Sequence, residues 1–207
     1  MGPGTSRDDG GRSARERILD SSLHLFAEKG FAGATTKEIS AKAGVNEVTL
    51  FRHFGSKRAL FVSVIQERSP LAEMQGKVSV DPDAPVDELL ERNARTVLAI
   101  LKANRHLFMI ILGDAWRIPK MRSAVSEFGV EKGVELVTEL MATLIAAGKI
   151  REMDPHVAAR SLIGMIQSYY MTRYLLADKE PGPGEEGRMI AGFVDIFLDG
   201  VRREGAK

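Results

Sequence analysis

The chain has 207 residues, of which 44% are hydrophobic and 28% charged, and its formal net charge is +1. This composition suits one or two globular domains and excludes a disordered chain. The absence of cysteine excludes disulfides and thiolate zinc sites. No apolar run approaches the roughly 20 residues of a membrane span, and the N-terminus has no apolar stretch of signal-peptide type. We therefore expect a cytoplasmic protein with no membrane partner.

Positive charge is slightly concentrated in the first part of the chain. Residues 1–60 hold ten Lys and Arg against seven Asp and Glu, whereas the remainder holds nineteen against twenty-one. A basic excess in one segment favours contact with nucleic acid there, although ordinary charge scatter gives the same pattern.

The N-terminal segment combines an arm with a first helix. Residues 1–12 are polar and rich in glycine, which predicts a disordered arm. A helix is predicted over residues 13–29, because Ser13 and Glu16 have the spacing of a capping box and apolar side chains follow along one face. Gly30 predicts its end.

Two short helices around one glycine are predicted next. The first covers residues 37–43, and Gly44 follows it where a helix end needs positive φ. Asn46 then offers an N-cap to a second helix over residues 46–53. This is the pattern of a helix-turn-helix, in which the second helix is the candidate recognition helix.

A longer pattern of residues surrounds these helices. It comprises Phe26, Glu28, Lys29, Gly30, Phe31, Thr35, Thr36, Ile39, Ala43, Gly44, Val45, Thr49, Phe51, His53, Phe54, Lys57 and Leu60. At this spacing, residues 13–62 resemble the TetR/AcrR family of bacterial transcriptional regulators. Two positions depart from the family pattern: Phe51 replaces the usual Tyr, which removes a phosphate-binding hydroxyl, and Ser40 replaces the usual Ala.

The remainder of the chain is predicted to be helical, with no strand alternation. Ser56 caps a fourth helix over residues 57–68, and Pro70 and Gly76 interrupt the pattern before a loop. Further helices are predicted over residues 86–102, 106–116, 120–128, 130–147, 156–177 and 188–203.

These elements predict an all-α fold. An N-terminal three-helix helix-turn-helix DNA-binding domain occupies residues 13–66, after the arm. A C-terminal helical bundle for ligand binding and dimerisation occupies residues 67–207. The helix that begins at Lys57 is predicted to connect the two.

Catalytic chemistry finds no support in the sequence. The four histidines occur in no metal or nucleophile motif, so no catalytic residue, metal or cofactor is predicted. Gly182, Gly184 and Gly187 spell G-x-G-x-x-G, but a dinucleotide site needs a preceding strand, and here a long helix precedes the motif. The alternative from another class is a helical protein-interaction module, which salt-dependent duplex binding would exclude.

The candidate DNA-contacting side chains are those left over once the core is assigned. By family resemblance, the positions that contact phosphate are Thr36, Thr49, His53 and Lys57. The positions that face the groove are Lys37, Glu47, Val48 and Phe51, and Arg52 also faces outward. Lys can read guanine, Glu can accept from cytosine N4, and Val can meet a thymine methyl. The predicted partner is double-stranded DNA with a palindromic operator.

A second candidate site begins at residues 107–121, which hold the only Trp and two of the nine Met. Met adapts to varied partners, and the family resemblance implies a cavity for a small, largely apolar effector in this domain. The candidate wall residues are Phe108, Met109, Leu112, Trp116, Met121, Met141, Met165 and Tyr169. An ordinary core, in a regulator of the same fold without an effector, is the alternative.

The last two predicted helices are apolar over a wide arc, about 200° on the final helix, whereas one core needs a stripe nearer 100° wide. The excess predicts a homodimer through a four-helix bundle across a two-fold axis; one large core within the chain is the alternative. The candidate interface residues are Gly164, Ser168, Ile190, Phe193, Val194, Phe197 and Val201. The sequence thus predicts a dimeric repressor that an effector releases from DNA by changing the spacing of the recognition helices.

Overall fold

A computed structural model describes residues 12–81, 83–114, 131–177 and 181–201. Within these ranges the secondary structure is helical with no strand, which confirms the predicted all-α class. The helices are α1 (Ala14–Gly33), α2 (Thr36–Lys42), α3 (Glu47–Phe54), α4 (Lys57–Glu67), α5 (Leu71–Lys77), α6 (Val86–Ala103), α7 (Arg105–Asp114), α8 (Glu131–Ala146), α9 (Pro155–Tyr170) and α10 (Glu185–Val201). A π-helical segment, Met171–Leu175, continues α9. The helix predicted over residues 120–128 lies outside the described residues.

The first helix begins as predicted and ends later than predicted. Ser13 and Glu16 form the capping box, with the Ser13 amide donating to the Glu16 carboxylate at 2.8 Å. Gly30 has a φ of 70° and kinks the helix, and a further turn then reaches Gly33. Glycine therefore acts here as a bend within the helix, because the chain resumes helical geometry after one residue at positive φ.

The interruption predicted at Pro70 is confirmed, since Pro70 lies between α4 and α5, whereas the one predicted at Gly76 is wrong, since α5 continues through it. Pro70 directly precedes the helix, where its missing amide hydrogen costs no helical hydrogen bond. Gly76 lies within the last turn. Lys77 forms an ion pair with Glu73 at 2.7 Å, one helical turn away, which adds a little local stability.

The apolar side chains form two cores. One lies among α1, α2, α3 and α4, and the other among α6, α8, α9 and α10. Two residues of α7, Leu107 and Ile110, are buried in the first core, although the sequence assigned them to the second domain. The predicted boundary at residue 66 therefore separates the chain less cleanly than expected, because α7 packs on α1.

No single helix in the described ranges is long and apolar enough to cross a membrane, and the helix pair that passes this test jointly, Val86–Ala103 with Arg105–Gly113, is bent by 72°.

A pair of histidines lies where α1 meets α7. The ring centroids of His24 and His106 are 4.7 Å apart, and the His24 ring is held by a 2.8 Å contact between its Nδ1 and the Asp20 carbonyl. Burial lowers the pKa of His106, and the nearby His24, Arg105 and Lys42 lower it further. A proton on His106 therefore costs free energy in the folded chain.

This pair predicts an acid-sensitive stability. Because the folded pKa of His106 lies below its usual value of 6.5, the stability linked to the neutral ring is present above about pH 6.5 and lost as the pH falls through the lowered pKa. The free energy of unfolding, measured by urea denaturation, should decrease less between about pH 7.5 and 5.5 in His106→Gln than in the wild type. Identical pH dependence in the wild type and His106→Gln would contradict the assignment.

Candidate nucleic-acid interface and ligand cavity

Local capping signals build the helix-turn-helix. Thr35 and Glu38 form a capping box at the start of α2, and Gly44 takes a φ of 65° after its end. The Asn46 side chain accepts from the Thr49 amide at 2.7 Å and starts α3, as predicted. Leu50 and Phe54 on the inner face of α3 are buried, which fixes the direction of the helix.

The outer face of α3 combines apolar and cationic side chains. Val48 is 75% exposed and Phe51 44% exposed. Arg52 and His53 are also exposed, Thr49 is half-buried, and Lys37 of α2 is exposed beside them in the motif. Exposed apolar groups beside cations are what a helix offers to base edges and phosphates in a major groove.

Two of the predicted contact residues are bonded to each other. The Thr36 hydroxyl donates to Glu47 Oε1 at 2.7 Å, which joins the first residue of α2 to the first residue of α3. The Glu47 carboxylate is also well placed at the positive end of the α3 dipole. In the free protein, the hydrogen bond between these two side chains therefore helps to fix the angle between α2 and α3.

Lys57 is held by the first helix. Its ammonium lies 4.6 Å from the centroid of the Phe31 ring and donates to the Ala32 carbonyl at 3.4 Å. These contacts join the start of α4 to the chain just after the kink in α1. The phosphate contact assigned to Lys57 by resemblance stays a prediction.

Sequence reasoning missed several side chains that fix the orientation of the motif. Arg17 Nε donates to the Ala43 carbonyl at 3.0 Å, so α1 holds the turn after α2. Arg15 pairs with Glu67 at 2.7 Å. Ser40, where the family usually has Ala, is buried and donates to the Thr36 carbonyl at 2.7 Å. The contacts of Arg17 and Arg15 join residues that are distant in sequence, so no local pattern indicates them.

A cavity of about 60 Å³ lies between α5, α6, α7, α8 and α9. Its lining is apolar apart from one amide side chain and comprises Met74, Val97, Ile100, Leu101, Phe108, Ile111, Gly133, Val134, Ile163 and Gln167. Phe108 is the member of the predicted wall that lines it. The cavity therefore lies deeper under α7 than the Met and Trp content of residues 107–121 suggested.

The other described members of the predicted wall lie outside the cavity lining. Met109 and Leu112 are about two-fifths exposed. Other faces of α7 pack against α1 or line the cavity, and these two residues lie on neither. Met141 and Tyr169 are buried in the second core, and Met165 packs against it. Trp116 and Met121 lie outside the described residues.

The structure also corrects the predicted dimer face. Ile190, Val194, Phe197 and Val201 are buried in the core of their own protomer, so they have little surface to offer a partner. Their spacing of four, three and four residues makes them one stripe of α10. Phe193 is half-buried against Tyr169. Of the predicted set, Gly164 and Ser168 of α9 are exposed.

A helix-turn-helix with an exposed reading face, joined to a helical domain with an apolar cavity, defines a DNA-binding regulator. Residues 18–64 match the model of the bacterial regulatory proteins of the tetR family, and residues 88–200 match that of the AefR-like transcriptional repressor C-terminal domain. The chain therefore belongs to the TetR family and is a DNA-binding transcriptional regulator.

Similar proteins agree with this assignment over most of the chain. The uncharacterised HTH-type regulator YvkB of Bacillus subtilis is 24% identical over 92% of this chain and 98% of its own length. The nucleoid occlusion factor SlmA of Pasteurella multocida is 24% identical over 79% and 83%. A TetR-family regulator from Mesorhizobium loti superimposes with a TM-score of 0.79, at 24% identity over 91% of this chain and 96% of that one. The flavonoid-responsive regulator FrrA has a TM-score of 0.73, at 23% identity over 93% and 98%.

Substitution of two exposed lysines, one in the helix-turn-helix and one outside it, should affect DNA binding differently. Lys37→Gln should weaken binding to a preferred duplex by about 1–3 kcal/mol and relax the preference at one G·C pair, because a base contact carries sequence information. Lys77→Gln removes the same charge from α5 and should change neither property. Competition binding to duplexes with single base-pair changes measures both. An equal loss on every duplex would assign Lys37 to a phosphate instead.

Proposed function

We propose that this regulator is a homodimeric repressor that leaves a palindromic operator when a small, largely apolar molecule enters the cavity described above. The observation that carries the proposal is the position of α7. Phe108 and Ile111 line the cavity, while Leu107 and Ile110 of the same helix are buried in the core of the DNA-binding domain. A ligand that displaces the first pair must also move the second.

The sequence predicted that the helix starting at Lys57 connects the two domains and transmits the change, and α7 offers a second route. Because α7 is a short helix with its own hydrogen bonds, its two faces move together. A ligand with different affinities for two positions of α7 then shifts the population of DNA-competent molecules. Coupling of the usual size, about 1–3 kcal/mol, would weaken operator binding by roughly 5–150-fold.

The similar fold of FrrA, described as flavonoid-responsive, supports response to a small molecule as a property that this architecture accommodates. The apolar cavity lining favours this response over the alternative of a regulator without an effector, since soluble chains seldom leave an internal apolar space unfilled.

We place the dimer face on the exposed sides of α9 and α10. Val157, Ser161, Gly164 and Ser168 are exposed on one face of α9, at spacings of four, three and four residues. On α10, Ile196 is 66% exposed between Gly192 and Gly200. Small residues allow close approach of helices, and an exposed isoleucine among them gains free energy when a partner covers it.

Filling the cavity tests the effector proposal. Gly133 lines the cavity, and a Cβ there meets only the flexible end of Met74, at 3.5 Å. We expect Gly133→Leu to bind the operator but to resist release by a compound that releases the wild type in a fluorescence anisotropy screen. Gly76→Leu is the matched control, since a Cβ on this exposed glycine has no neighbour within 4 Å, and it should respond normally. Normal release of Gly133→Leu would place the effector elsewhere.

A charge on α10 tests the dimer face. Ile196→Glu should give monomers in sedimentation equilibrium and weaken operator binding, because a buried unpaired carboxylate at the interface costs several kcal/mol. Val80→Glu places the same group on another exposed apolar position and should remain dimeric. A dimeric Ile196→Glu protein with unchanged operator affinity would exclude this face.

A further inference from the structure

Two buried hydroxyl groups next to one another in sequence lack partners. Among the described residues, the side-chain oxygens of Tyr169 and Tyr170 are buried without a hydrogen bond. Tyr170 is only 1% exposed and Tyr169 5%. A buried hydroxyl without a partner destabilises the folded chain, so each such group calls for a physical explanation.

Tyr170 is not itself a lining residue, but it follows the two lining residues of α9 on the same side of that helix. Ile163, Gln167 and Tyr170 lie at spacings of four and three residues on α9, and the first two line the cavity. Long side chains on a helix lean towards its N-terminus, which brings the Tyr170 ring back over Gln167. The ring also packs edge-on against Phe108, a further lining residue, with centroids 5.4 Å apart.

Tyr169 provides an internal contrast. It lies about 100° around the helix from Tyr170. Both rings contact Tyr174, but the Tyr169 ring also packs against Phe193, whereas the Tyr170 ring packs against the lining residue Phe108. The two tyrosines therefore share burial and the lack of a partner but differ in position relative to the cavity.

The cavity lining is neutral, although the charge of the exposed Arg105, which is not a lining residue, acts on Tyr170. None of the described lining residues is charged, and Gln167 supplies the polar side chain. Burial raises the pKa of Tyr170 to about 12, although Arg105 opposes the shift. The phenol is therefore protonated at neutral pH and is a hydrogen-bond donor, as is the Gln167 amide.

We infer that the cavity takes an uncharged, mainly apolar molecule with one hydrogen-bond-accepting oxygen, which the Tyr170 hydroxyl and the Gln167 amide hold. This inference rests on the proposed effector response, because it names the ligand class of the same cavity. A hydrocarbon would leave the hydroxyl unpaired. A carboxylate would be buried against described lining side chains that include no cation, because Arg105 is exposed outside the lining, and such burial is strongly unfavourable.

Three probes of nearly equal shape test this class: acetophenone with a neutral carbonyl, ethylbenzene with no polar atom, and benzoate with a negative charge. The flexible side chain of Met74 has to move to admit the ring. We expect the wild-type protein to bind acetophenone about tenfold more tightly than ethylbenzene, the effect of one good hydrogen bond, and benzoate most weakly. Ligand-observed NMR titration of the full chain measures the three dissociation constants.

Two conservative variants separate the hydrogen bond from packing. Tyr170→Phe should lose the preference for acetophenone, keep the ethylbenzene affinity, and raise the midpoint of thermal unfolding without ligand. Tyr169→Phe removes an equally buried hydroxyl and should keep the preference for acetophenone.

Equal affinities for ethylbenzene and acetophenone in the wild type, tighter binding of benzoate, or no binding of any probe would each overturn this inference. The proposed effector response is decided separately, by operator release from the wild type and Gly133→Leu in the anisotropy screen. A compound can therefore release DNA through this cavity even where the ligand class inferred here is wrong.

Discussion

The packing of α7 against α1 is the constraint on which the rest of the molecule depends. Leu107 and Ile110 are buried in the core of the DNA-binding domain, and burial of each contributes about 1.5–3 kcal/mol relative to exposure. The domain that reads DNA is therefore completed by a helix from the domain that contains the cavity. For this reason, the two domains cannot respond independently to a change in α7.

The polar contacts of the N-terminal domain set its orientation more than its stability. The pairs of Arg15 with Glu67 and of Arg68 with Asp20 are partly exposed, and such pairs contribute about 0–1 kcal/mol each. Both nevertheless join α1 to α4 or to the residue that follows it. Together with the bond from Arg17 to the turn at Ala43, they fix where α3 presents its exposed face.

Local signals explain which parts of the fold could be predicted. The caps at Ser13 and Asn46 and the turn at Gly44 depend on residues within a few positions of one another, so the helix-turn-helix could be read from the sequence. The arc of apolar residues on α10 shows that the helix has more than one environment, but not which side faces the chain's own core. The sequence analysis therefore assigned Ile190 and Phe197 to the dimer face, although both are buried in the core of their own protomer. The hydrogen bond between Thr36 and Glu47 could not be predicted either, because each side chain, taken alone, resembles an exposed residue that contacts DNA.

Helix α9 connects the cavity with the proposed dimer face. Ile163 and Gln167 line the cavity, whereas the adjacent face of the same helix carries the exposed Gly164 and Ser168. In the proposed dimer, a ligand against the first face would act on a helix that also contacts the partner. Because dimeric helix-turn-helix proteins need their recognition helices about 34–36 Å apart, a small shift of α9 in the proposed dimer would change that distance, and a shift of α7 would tilt each DNA-binding domain. In the proposed mechanism, a ligand in the cavity would therefore act on DNA binding through two helices, α7 within the protomer and α9 at the proposed two-fold axis.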